Sequence, residues 1–260
     1  MITSESNPRT PTDTAIDACH QVQYEPALME EAVMLAVKDR PEEKSLHRVR
    51  DPIYEIADEE RRNICFNELH RTWFDRLNLQ RPIQCALAER PILASTTHRT
   101  FVARVARRKD ETAELFVGQK DGSVPDVERR SIGIMLRPAS FINADGLLKL
   151  LRHELLHIAD MLDPAFEYSP AFSLEEDATI PETAFLERYR ALWDATVDGR
   201  LVHAGLNAPS QRARKFADFA KVFGMFGERT EEAFSLLFDR SGHTHPQLVA
   251  FAHAPRELLR

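Results

Sequence analysis

Residues 150–160 read Leu-Leu-Arg-His-Glu-Leu-Leu-His-Ile-Ala-Asp, and no other stretch constrains this chain as strongly. Leu147, Leu148, Leu150, Leu151, Leu155, Leu156 and Ile158 cover most sides of a helix drawn through it. Such a helix must be nearly buried. Burying two imidazoles and a carboxylate without a partner is expensive, and a metal ion supplies the partner. His153 and His157 stand four residues apart, so they lie one turn apart on the same face. Two imidazoles placed so can bind one Zn²⁺ at about 2.0–2.1 Å each. Glu154 lies roughly 100° around the axis from His153. It does not join easily as a third ligand but can reach a water on the metal, which separates the Lewis acid from the general base. The expected site is therefore zinc on His153 and His157 with Glu154 as the catalytic base.

The remainder of the chain suits a globular host for such a helix. Of 260 residues, 43% are hydrophobic and 29% charged, which is enough to bury a core. No run approaches the roughly 18 apolar residues of a membrane span, and the polar start MITSESNPRTPTDT has no apolar signal core. A net charge of −7 argues against a dedicated nucleic-acid binder. Cys19, Cys65 and Cys85 are scattered and form no CxxC pair, so a disulfide framework is not indicated and a reducing cytoplasm is the expected compartment.

Periodicity and turn chemistry predict an α+β layout of helices, a small sheet, then helices. Residues 1–50 read as a flexible, partly disordered arm, with one short helix at 26–37 and a charged connector punctuated by Pro41 and Pro52. Residues 51–260 read as one domain. Phe66, Leu69, Trp73 and Leu77 share one face of a helix over 53–78. The runs 99–106, 112–118 and 131–138 are expected as strands of a mostly antiparallel sheet, with a turn at 120–123. Helices follow at 144–162, with Asn143 or Asp145 as N-cap, and at 183–204, 210–225, 229–239 and 246–253.

The segment His153-Glu154-Leu155-Leu156-His157, with its apolar flanks and the strand at 131–138 just upstream, resembles the zincin metallopeptidases. The resemblance covers roughly residues 99–163. It implies a zincin-like fold, with the small sheet packed on the HExxH helix. It implies a zinc-dependent peptidase in which a metal-activated water attacks a peptide carbonyl, Glu154 serving as base and then proton donor. It also implies that 131–137 form an edge strand along which an extended polypeptide substrate aligns. The metzincin extension is absent, since Asp160 and Asp163 stand where Gly and His would be needed, and a gluzincin ExxxD is not evident.

Catalytic zinc usually takes three protein ligands and a water, so one ligand must come from elsewhere. Asp194 and Asp198 are spaced i, i+4 on a helix with apolar neighbours, a pair that resembles the second metal helix of gluzincin-like zincins. Asp198 is the expected ligand, because Val197 and Leu201 turn it inward and Gly199 allows close approach to the metal helix. Asp194 is then expected to orient a ligand histidine, though the two roles can be exchanged, and Glu176 in the acidic loop is the alternative ligand. Asp160 is expected to hold a histidine ring N–H or an arginine, with Arg200 as a partner for Asp160 or Asp198. His243 and His245 read as a solvated pair. A zinc-binding module without turnover is the rival to the peptidase, and an intact Glu154 counts against it.

Overall fold

The computed structural model describes residues 20–119, 125–170, 180–207 and 211–260. Along the chain lie β1 (Gln21–Tyr24), α1 (Pro26–Val37), α2 (Pro41–Arg50), α3 (Glu59–Arg76), α4 (Arg81–Ala88), α5 (Pro91–Thr96), β2 (Arg99–Arg104), β3 (Thr112–Val117) and β4 (Arg130–Leu136). Then come α6 (Ala144–Leu162), α7 (Glu182–His203), α8 (Gln211–Phe223), α9 (Thr230–Phe238) and α10 (His245–His253). The class is α+β and mostly helical.

The sheet has the order β1-β2-β4-β3. It is mixed, not mostly antiparallel: β1, β2 and β4 run parallel, and only β3 runs against its neighbour. Parallel neighbours need long crossovers, and here α1–α5 form the one between β1 and β2. The four residues of β1 precede the first helix and carry too little pattern to announce a strand. The expected edge strand is also misplaced. Residues 131–136 belong to β4, which pairs with β2 on one side and β3 on the other. Its Ile132, Gly133, Ile134 and Leu136 are buried, the near-continuous apolar run of an interior strand. Among the described residues the edge strand beside the HExxH helix is β3.

Residues 20–50 are part of the packed fold rather than an arm. Leu28, Ala32 and Val33 of α1 and Leu46 of α2 are fully buried in the main core. The charged connector is the helix α2, in which Leu46 alone is fully buried and the rest is exposed or half-buried. Residues 1–19 and the expected turn at 120–123 lie outside the described residues.

The helix α6 starts and stops where its chemistry dictates. The Asn143 side chain accepts a hydrogen bond from the Gly146 N–H at 3.0 Å, a side-chain N-cap. Asp163 and Pro164 close it. Leu147, Leu151, Leu155, Leu156 and Ile158 are buried along it, and it packs against α4, α5, α7 and β3. The helix α7 is enclosed by α6, α8, α9 and α10. Gly199 serves a different neighbour from the one expected. A Cβ there would stand 1.9 Å from the Phe238 carbonyl oxygen, so the glycine lets α7 pass the end of α9, not α6.

Candidate metal centre

The helix α6 brings His153 and His157 to one face, and α7 crosses that face with its two aspartates. His157 Nε2 lies 3.3 Å from His153 Nε2 and 3.1 Å from Asp194 Oδ1. His153 Nε2 lies 3.5 Å from the same Asp194 oxygen. Asp198 stands behind this group, where its Oδ1 accepts from His153 Nδ1 at 3.0 Å. The two acids therefore take the reverse of the expected order: Asp194 joins the cluster and Asp198 orients His153. The geometric reason is the rotation of α7, which aims Asp194 at both Nε2 atoms and turns Asp198 inward, where it is almost fully buried.

His153, His157 and Asp194 form a group that can hold a metal ion. The fit goes beyond residue type. Three ligands of a tetrahedral zinc at about 2.0–2.1 Å stand about 3.3 Å from one another, and the three separations here are 3.1, 3.3 and 3.5 Å.

Burial and ion pairing pull against each other in this cluster. Burial disfavours charge on His153, but its hydrogen bonds with Asp194 and Asp198 outweigh this and hold its pKa up at about 9. Burial likewise works against the Asp194 carboxylate, yet His153 and His157 keep it well below the usual range. Any proton kept on His153 Nε2 has to leave before that nitrogen can ligate.

Glu154 points toward the sheet. Its Oε2 accepts from the Thr112 hydroxyl at 3.1 Å and from the Ala113 N–H at 3.3 Å. Since Ala113 turns its backbone away from β4, alternation places the N–H and C=O of Leu115 and Val117 on the same open edge. The pairing of the Gly118 N–H with Arg129 on the inner side agrees with that parity.

Asp160 holds an arginine as expected. It accepts two hydrogen bonds from Arg200, at 2.8 and 2.6 Å, and a third from the Trp193 indole at 2.8 Å. It bonds to no histidine ring; its link to the site runs through Trp193, whose ring meets His157 edge-on at 4.5 Å. Arg152 grips Glu89 and the Leu206 carbonyl, tying α6 to α4 and to the turn after α7. His245 is buried rather than solvated, 2.7 Å from the Tyr189 hydroxyl. His243 contacts the Leu236 carbonyl at 3.0 Å. Glu176 lies outside the described residues.

A cleft of about 600 Å³ opens between α7 and α8, over Ala191, Ala195, Phe219 and Val222, and reaches Asp194 and Asp198. Sequence reasoning missed Thr112 and Ala113 as partners of Glu154. It also missed Lys215 of α8, whose Nζ lies 2.7 Å from Asp198 Oδ2. Lys215 sits among Arg212, Arg214 and Lys221, and nothing in that basic helix distinguishes it. No model of a known protein family, no curated protein and no solved structure matches the chain.

Proposed function

We propose that the protein is a zinc-dependent peptidase of zincin type, with His153, His157 and Asp194 as ligands. The observation that carries this reading is the convergence of His153 Nε2, His157 Nε2 and Asp194 Oδ1 at tetrahedral spacing, on the helix that also carries Glu154. When bound, zinc supplies Lewis acidity, polarising a carbonyl oxygen and making a water easier to deprotonate. With zinc held by His153, His157 and Asp194, Glu154 would be the base that takes a proton from the attacking water and would return it to the departing amine nitrogen. Asp198 holds the His153 ring by its Nδ1–H, so that Nε2 faces inward. An extended polypeptide adds to the open edge of β3, where the Leu115 and Val117 backbone groups can pair with it.

The test is digestion of a broad peptide library by zinc-loaded protein. Cleavage is expected from the parent, and Glu154→Gln, which keeps shape and removes the base, should retain zinc and slow hydrolysis by roughly 10² or more. Cleavage by Glu154→Gln at the parent rate would refute the role of Glu154.

One observation favours a zinc-binding module without turnover. The Glu154 carboxylate already bonds to Thr112 and Ala113 of the strand edge, as a residue fastening α6 to β3 would. Under that reading the parent binds zinc and cleaves nothing, and Glu154→Gln loses stability instead of activity.

A further inference from the structure

Asp198 is buried; its Oδ1 is hydrogen-bonded, while its Oδ2 has only an ion-pair contact and no hydrogen bond of good geometry. Oδ1 takes the Nδ1–H of His153, and Oδ2 lies 2.7 Å from the ammonium of Lys215. The two contacts come from opposite sides, one from α6 and one from α8. A carboxylate flanked in this way has little freedom to rotate about its terminal bond. Without the ammonium, Oδ2 would be a buried charged oxygen with no cation beside it, and such groups relax toward any donor they can reach. Rotation of Asp198 would take the acceptor away from His153 Nδ1 and release the ring whose Nε2 faces Asp194.

We propose that Lys215 is a positioning residue of the metal centre: its ammonium fixes the Asp198 carboxylate, which fixes the His153 ring. The inference rests on the metal-centre reading above but not on hydrolysis. It also gives α8 a part in the site, since Lys215 lines the cleft that α8 forms with α7.

The experiment measures the Zn²⁺ affinity of the full chain against a chelating dye. Lys215→Met should bind Zn²⁺ about tenfold more weakly than the parent, the lower end of what loss of an outer-sphere partner costs. Lys215→Arg, which keeps the charge, should recover part of that loss. In an Asp198→Asn background Lys215→Met should have no further effect, because the carboxylate it acts through is gone. A merely structural ion pair would lower stability in the parent background and leave the Zn²⁺ affinity alone. Where methionine disturbs the α7–α8 packing, Lys215→Gln replaces it. Parent-like affinity in the neutral variant, or an equal loss with and without the Asp198 carboxylate, overturns the inference and leaves the metal centre standing. A parent that takes up no Zn²⁺ overturns both.

Discussion

Asp194 and Asp198 are one helical turn apart, and burial divides their chemistry. The side chain of Asp194 is 49% exposed toward the cleft, with one oxygen on both Nε2 atoms, whereas that of Asp198 is 3% exposed and takes the back of His153. A ligand and an orienting group should respond differently to truncation. Asp198→Ala is expected to weaken zinc binding 10- to 100-fold, and Asp194→Ala to weaken it well beyond that range. Calorimetric titration of the two variants checks this, and a larger loss from Asp198→Ala would restore the order expected from sequence. Asp160 tests the support of the site. Removing it leaves the Trp193 indole without its acceptor and the Arg200 guanidinium with only the Thr196 carbonyl, so Asp160→Ala should cost about 1–3 kcal/mol in urea unfolding. A loss under 1 kcal/mol would show that the clamp contributes little.

The rotation of α7 decides which aspartate faces the histidines, and two contacts set it. Trp193 is hydrogen-bonded to Asp160 of α6, and Gly199 lies against the end of α9. A methyl group at residue 199 collides with backbone that cannot swing aside, so Gly199→Ala should destabilise the protein by about 1–3 kcal/mol. It should also weaken zinc binding, because α7 must shift as a unit. A thermal scan with a zinc titration checks both effects, and an unchanged melting temperature would mean that α9 yields. The same contacts explain what could be read in advance. Local signals placed α6 from Asn143 to Pro164, located three strands, and identified the two histidines and the acid pair. Pairing of β1 with β2, the interior place of β4 and the choice between Asp194 and Asp198 depend on contacts between distant elements. A four-residue strand and an i, i+4 pair of aspartates do not encode such contacts locally. Lys215 illustrates the limit: its role is fixed only by the approach of α8 to α7.

The packed fold also fixes how stability responds to acid. His20, His70 and His245 come from different parts of the molecule, and burial holds each below the ordinary imidazole value. Each takes up a proton on unfolding near its free pKa of about 6.5, so the unfolded state binds more protons below that pH and stability falls there. His153 acts in the opposite sense in the metal-free protein: its raised pKa contributes fully below about 6.5, and the contribution fades as pH rises through about 9. The two windows meet near pH 6.5, and between pH 7 and pH 5 the loss from the three buried imidazoles is expected to outweigh the last of the gain from His153. Urea unfolding at pH 7 and pH 5 should therefore give lower stability at pH 5, with a shallower fall in His245→Gln. Equal stability at the two pH values would contradict the assignment.

Everything proposed about activity depends on one cation joining α6 to α7, and zinc content reports on it directly. Elemental analysis of zinc-reconstituted protein after mild dialysis should find about one zinc per chain in the parent and almost none in His157→Ala, since a catalytic site holds its metal through three protein ligands. Near-stoichiometric zinc retained by His157→Ala, or none retained by the parent, would contradict the metal centre.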